Sequence, residues 1–234
     1  MKNLLIVESK NDKFFIEALI HHLNLESVEV ASGVICGIDD FECLGGLSEK
    51  KLTETLIAIK GRIKKDDESI QKVGIIIDID EKTKIERLNL VNNALSQAFN
   101  TQKAIDDINT FVNIPIDALQ DIEIAVYFTN LDGKGELETV LKQIKTKDSV
   151  YADCLQSWQD CLRRNNINQG NGLKNKDFDK FWVNVYIRYD TCTKEEQKQA
   201  ERKCGNEAAM KKPIWDFNHS CLTTLKEFLK LFNV

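Results

Sequence analysis

The sequence predicts an α/β protein: a mainly parallel sheet with helices on both faces, followed by a C-terminal helical extension. Three observations carry this. Leu4–Val7 and Val73–Ile77 are short apolar runs of the kind that fill strands buried on both faces, and Val28–Ala31 and Ile122–Phe128 read as further strands. Stretches with apolar residues at helical spacing separate them, so strand and helix alternate over residues 1–145. Over residues 146–234 the alternation stops and the apolar patterns are helical.

In chain order, Leu4–Val7 is the first strand, and Phe14, Phe15, Ala18, Leu19 and Leu23 stripe a helix from Asp12 to about Leu23. Val28–Ala31 is the second strand, and a loop bearing Gly33, Gly37, Gly45 and Gly46 follows it. Leu52, Leu56, Ile59 and Ile63 mark an amphipathic helix with charge on its other face. Val73–Ile77 is the strongest strand. Thr83-Lys84-Ile85-Glu86 fits a capping box, in which hydroxyl and carboxylate satisfy free N–H groups of a first helical turn. Phe111–Ile116 reads as an edge strand, because Pro115 cannot donate to a ladder. After Ile122–Phe128, Asn130–Gly135 is a turn, and Leu137, Val140, Leu141 and Ile144 form a helical stripe. Right-handed crossovers between parallel strands place these helices on both faces. In the extension, Tyr151–Arg164, Asp177–Tyr189, Lys194–Lys203 and Leu222–Phe232 read as helices, with a flexible loop at Asn165–Asn175. Two units follow: residues 1–145 as an α/β domain, and residues 146–234 as a helical extension packed on it.

Composition narrows the function classes. A chain of 234 residues with 42% hydrophobic and 29% charged residues is ordinary for a soluble globular protein. A net charge of −5 argues against coating nucleic acid through bulk charge, and leaves room for a local basic patch. The first apolar run is too short for a signal peptide, and no window approaches the roughly 20 apolar residues of a membrane span. Cys36, Cys43, Cys154, Cys161, Cys192, Cys204 and Cys221 make an odd count with no Cys-x-x-Cys pair. That argues against a disulfide framework and a zinc site, and for reduced thiols in the cytoplasm. Only His21, His22 and His219 are present, too few for a His-rich metal site. No Gly-x-x-x-x-Gly-Lys-Ser/Thr loop occurs, so there is no P-loop ATPase. Tyr151, Tyr186 and Tyr189 sit among apolar neighbours and read as core tyrosines.

The chemistry lies at the strand ends. Val73–Ile77 runs into Asp78-Ile79-Asp80, and Leu4–Val7 runs into Glu8. Ligands of open parallel sheets bind beyond the C-terminal strand ends, so these acids fall in the right place. If the chain stays extended, Asp78 and Asp80 point the same way. Hard carboxylate oxygens suit Mg²⁺, with Mn²⁺ as its substitute. The competing reading is that such acids cap helices or sit in solvated turns, and for Asp12 the helix-capping role is the better one. Glu81 and Asp132 are weaker candidates. Lys60–Lys65, Arg163-Arg164 and Lys211-Lys212, the last near Trp215 and Phe217, are the basic runs that could meet phosphates.

Several families own an Asp-x-Asp. Haloacid-dehalogenase-type phosphatases place a Thr or Val at the fifth position, where this chain has Lys82, and Thr83 comes one place late. Receiver domains use a paired acid motif on strand one and a lone Asp later, the reverse of the order here. The pattern that fits is a Glu closing the first strand and an Asp-x-Asp closing a later one. With Val7-Glu8-Ser9-Lys10-Asn11-Asp12 and Asp78-Ile79-Asp80, the chain resembles the Toprim domain of topoisomerases, primases and recombination proteins. More narrowly it resembles stand-alone prokaryotic Toprim-like proteins of unknown function, which carry a later Gly-x-Leu-Glu matched by Gly135-Glu136-Leu137-Glu138. The resemblance implies a Rossmann-like sheet over residues 1–145 and Mg²⁺-dependent phosphodiester chemistry on nucleic acid. It makes Glu8 the general base or acid and Asp78 and Asp80 the metal ligands, with Glu138 as a further ligand. Lys10 and Lys13 would touch phosphate. Two other functions fit the same residues: a non-catalytic nucleic-acid or protein interaction module, and a phosphohydrolase of small substrates.

Overall fold

Five strands form one sheet in the order β2–β1–β3–β5–β4. They are β1 (Lys2–Val7), β2 (Val28–Val30), β3 (Ile70–Asp78), β4 (Val112–Pro115) and β5 (Asp121–Thr129). The computed structural model describes residues 2–31, 35, 47–64, 70–118, 120–165 and 175–233. The expected loop glycines Gly33, Gly37, Gly45 and Gly46, and residues 166–174 of the expected flexible loop, lie outside the described residues.

The strands β2, β1, β3 and β5 pair in parallel, and β4 pairs antiparallel with β5 at the edge. Pro115 explains the edge position, since its nitrogen has no hydrogen to give a further neighbour. Between the strands come α1 (Lys10–Leu23), α2 (Glu49–Lys64) and α3 (Lys84–Phe99), with α4 (Leu137–Ile144) after β5. The Thr83 box forms as the sequence predicts: Thr83 N–H donates to Glu86 Oε2 (2.7 Å), and Glu86 N–H donates to Thr83 Oγ1 (3.2 Å).

Strand alternation splits the sheet into two cores. Leu4, Ile6, Ile75 and Ile77 bury against Leu52 and Leu56 of α2 and Val91 and Leu95 of α3. Leu5, Val7 and Ile76 bury against Phe15 and Leu19 of α1 and against Trp182, Tyr186, Phe228 and Phe232 of the C-terminal residues. The helical extension therefore builds one face of the sheet. Gly74 permits the closest approach there: a Cβ on it would come within 2.5 Å of Leu5 Cδ2 and 2.8 Å of Phe232 Cζ. Asn3 Nδ2 donates to Phe232 O (2.5 Å) and Lys72 Nζ to Leu231 O (2.9 Å), fastening the chain's end to β1 and β3.

The extension contains α5 (Val150–Arg164), α6 (Asn175–Val185), α7 (Lys194–Gln197), α8 (Glu201–Cys204), α9 (Asn206–Met210) and α10 (Thr223–Lys230). The helix expected over Lys194–Lys203 breaks in two at Ala200, which takes φ +45°. Cys192 and Cys204 form a disulfide with their Cα atoms 6.2 Å apart, which corrects the expectation of reduced thiols throughout. The turn through α7 brings this pair together, and cysteine spacing alone carries no signal for it. Tyr186 is a core tyrosine as expected, with its hydroxyl accepting from Lys147 N–H (3.1 Å) and donating to Ile214 O (3.2 Å). Tyr151 and Tyr189 are corrected: both are exposed, with ring centroids 6.0 Å apart. No described helix is long and apolar enough to cross a membrane.

Candidate metal centre

Because β1 and β3 pair in parallel with Val7 opposite Ile76, Glu8 emerges beside the end of β3. Its Oε2 accepts the Asp78 N–H at 3.1 Å. α1 starts at once, with Ser9 as its N-cap. Asp12 closes that cap from the third helical position, accepting from Ser9 N–H (2.9 Å) and Ser9 Oγ (2.5 Å), so it serves a cap whose N-cap residue is Ser9 rather than Asp12 itself. Asp78 Oδ1 accepts the N–H of Leu137 (3.2 Å), a free donor of the first turn of α4.

Asp80 reaches the site by a turn. Ile79 N–H still bonds Thr129 O (3.0 Å), but Asp80 adopts φ +55°. That is a left-handed conformation which Asp tolerates better than most residues. It exchanges backbone hydrogen bonds with Gly135 in both directions, at 2.9 and 3.0 Å. The chain does not stay extended through Asp80, yet the two carboxylates still converge. Arg87 holds Asp80 in place: Nη2 lies 2.5 Å from Asp80 Oδ2, and Nε donates to Ile79 O (3.3 Å). Gly135 itself sits at φ +89°, and a Cβ there would lie 2.7 Å from Thr139 Oγ1. The Gly-Glu-Leu-Glu segment thus has a physical reading. Gly135 makes the turn that pairs with Asp80, Glu136 enters the site, and Leu137 N–H holds Asp78.

Carboxylate oxygens of Asp78, Asp80 and Glu136 lie within 4.8 Å of one another. Glu136 therefore stands in this group, whereas the sequence put Glu138 forward. Glu138 is buried one step along, where its charge raises the pKa of Asp12, Asp78 and Glu136. From the far end of the chain comes Lys176, on α6. Its Nζ lies 2.8 Å from Asp80 Oδ1 and 3.1 Å from Glu136 Oε2.

Glu8, Asp12, Asp78, Glu136 and Glu138 are all buried. Desolvation is the main cause that raises the pKa of every one of them, reinforced in Asp12, Asp78 and Glu136 by the neighbouring carboxylates. Asp12 is pushed up to about 7 and Glu136 to about 8. Burial alone would lower the Lys176 pKa; its hydrogen bond to Asp80 and the charges of Asp80, Glu136 and Asp78 outweigh that and keep the ammonium charged. Both oxygens of Glu136 are buried, and the Lys176 ammonium, 3.1 Å from Oε2, is the partner that offsets their charge. A buried carboxylate is costly unless a cation satisfies it. Three converging carboxylates, two of them met by one lysine ammonium, form the hard oxygen donor set that Mg²⁺ and Mn²⁺ favour.

The remaining candidates lie elsewhere. Lys10 is exposed on the first turn of α1. Lys13 Nζ donates to Ala31 O (3.2 Å) and pairs with Glu17 (3.8 Å), at the end of β2. Glu81 and Asp132 are exposed. Much of the basic runs serves the fold. Lys60 bonds Ala98 O (3.1 Å) over the Phe99 ring, Lys211 pairs with Glu207 (2.7 Å), and Lys212 pairs with Glu196 (2.8 Å). Trp215 is buried, its Nε1 donating to Ala209 O (3.1 Å).

Sequence reasoning passed over Arg87, Glu136 and Lys176. Glu136 sits inside the quoted Gly-x-Leu-Glu, and Arg87 lies in the first turns of the helix after Asp80, so both had a local signal. Lys176, 96 residues from Asp80, had none. No curated protein and no solved structure matches the chain. The chain belongs to the family described as protein of unknown function DUF3226, whose model matches residues 2–233.

Proposed function

We propose that the chain is a Toprim-like protein carrying out Mg²⁺-dependent phosphodiester chemistry on nucleic acid, in the manner of a nuclease. The observation that supports this best is the convergence of Asp78, Asp80 and Glu136, with the Glu136 carboxylate buried beside the other two and met by the Lys176 ammonium. These three residues would hold Mg²⁺ or Mn²⁺. Bound there, the ion would neutralise charge on a phosphate and make a water more acidic.

The other roles belong to the chain's own side chains. Glu8 is the proton carrier: burial raises its pKa above the ordinary carboxylate value, and the Asp78 N–H fixes its orientation. Arg87 positions Asp80, and the first turn of α4 positions Asp78. A second reading, turnover of a small phosphorylated ester, is favoured by the internal partners of Lys60 and Lys212, which leave those side chains less available to a long polyanion.

The test incubates the protein and millimolar Mn²⁺ with single- and double-stranded DNA, with RNA, and with p-nitrophenyl phosphate. Asp78→Asn and Glu8→Gln serve as controls. Polynucleotide cleavage abolished in both variants is the expected result. Turnover of the ester alone would favour the second reading. Polynucleotide binding without turnover would point to a non-catalytic interaction module, and cleavage that persists in Glu8→Gln would remove the role given to Glu8.

A further inference from the structure

We propose that Lys176 is a tethered counter-ion that stands in the cation site and must withdraw when a divalent ion binds, so that it sets the metal affinity of the centre. This rests on the metal-centre reading above. One ammonium contacts two of the three converging residues, at 2.8 Å from Asp80 Oδ1 and 3.1 Å from Glu136 Oε2. Mg²⁺ takes its oxygens at about 2.0–2.1 Å in near-octahedral geometry, and would need the oxygens that the ammonium now faces. Like charges this close in a buried site exclude one another.

The two cations on Asp80 differ in kind. Arg87 is 4% exposed, grips Oδ2, and is anchored a second time on Ile79 O. Lys176 is 31% exposed and holds Oδ1 at the end of a flexible stem. One carboxylate oxygen is thus fixed and the other exchangeable. Lys176 lies in the first turn of α6, and one turn on, Asp179 is held to α4 by Lys142 Nζ (2.7 Å) and Thr139 Oγ1 (3.3 Å). Withdrawal therefore needs movement only of the side chain and the first turn, with the rest of α6 kept in register.

Isothermal titration with Mn²⁺ at pH 7 tests this on wild type, Lys176→Gln and Lys180→Gln. Lys180 raises the local potential without an ion pair to Asp80 or Glu136, so its variant separates field from occupancy. Lys176→Gln is expected to bind Mn²⁺ about tenfold tighter or more, and Lys180→Gln to change by less. Equal effects in the two variants, or an unchanged or weaker Lys176→Gln, would overturn the proposal while leaving the metal centre standing. No binding by any of the three proteins would overturn the metal centre itself, and the competition with it. A second readout needs no variant. Acetylation of wild-type lysines, followed by peptide mass spectrometry, should show labelling of Lys176 rising several-fold when Mn²⁺ is added. Labelling of Lys176 that stays constant while Mn²⁺ is bound would overturn the proposal as well.

Discussion

At the scale of single residues, the site is an excess of buried acid held by few cations, and two consequences follow. Arg87→Ala removes the fixed partner of Asp80 and should cost about 3 kcal/mol, near the lower bound for breaking a buried pair, because Lys176 still compensates Asp80. Urea denaturation measures this, and Arg87→Lys should not restore the loss, since an ammonium cannot span Asp80 and the Ile79 carbonyl as the guanidinium does. The second consequence concerns pH. Unfolded carboxyls titrate near 4, whereas Asp12 is raised to about 7 and Glu136 to about 8, with Glu8, Asp78 and Glu138 raised too. Over that window the native state holds more protons than the unfolded chain, so the stability they contribute is full below about pH 4 and is lost as pH rises through about 8. With EDTA present, the protein should be more stable at pH 5.5 than at pH 8, and millimolar Mg²⁺ should shrink the difference. Equal stability at both pH values without metal would contradict this account of the cluster.

Residue-level legibility was uneven for physical reasons. Glu8, Asp78 and Asp80 stood out because short apolar runs end on them, and strand ends are where a parallel sheet places its chemistry. Glu138 was put forward because the Gly-x-Leu-Glu resemblance ends on it, whereas which glutamate enters the site depends on where α4 begins. Apolar spacing over Leu137–Ile144 locates the helix, but its cap depends on the left-handed turn at Gly135, which spacing does not encode.

At the scale of elements, β3 and the Asp80–Gly135 pairing set the site's geometry. Gly135→Ala would force a Cβ toward Thr139 at φ +89°. It should destabilise the fold by about 1 kcal/mol or more and shift Asp80. Thermal melts should show lower stability and a smaller rise on adding Mn²⁺; an undiminished rise would separate the turn from the metal centre. Gly74→Ala strains the middle of β3, against Leu5 and Phe232, and should cost about 1–3 kcal/mol by overpacking. Its metal response should be unchanged, because Gly74 touches none of the acids. The central strands β1, β3 and β5 were readable from the sequence, since their mostly apolar runs are enforced by two-sided burial; β2 and β4, each with an exposed residue, were read from shorter patterns. The break at Ala200 and the Cys192–Cys204 bond were not, because both depend on a turn within a stretch of helical composition.

At the scale of the whole molecule, residues 146–234 cover a face of the sheet and supply Lys176. Division at residue 145 follows the change in sequence pattern, but the core formed by Leu5, Phe15, Tyr127, Trp182, Tyr186 and Phe228 runs across it. A fragment of residues 1–145 would leave that face bare, and is expected to aggregate or to lack dispersed amide signals in NMR spectra. A well-folded, soluble fragment would show instead that the α/β part stands alone. Lys176 was invisible to sequence reasoning for the same reason: its partners lie on elements that meet only when the extension packs.

The most direct measurement is anomalous diffraction from crystals of the protein grown with Mn²⁺. A peak coordinated by the carboxylates of Asp78, Asp80 and Glu136, with the Lys176 ammonium turned away, is the expected result. Crystals in millimolar Mn²⁺ with no peak there, and with Lys176 still bridging Asp80 and Glu136, would contradict the metal centre on which the functional reading depends.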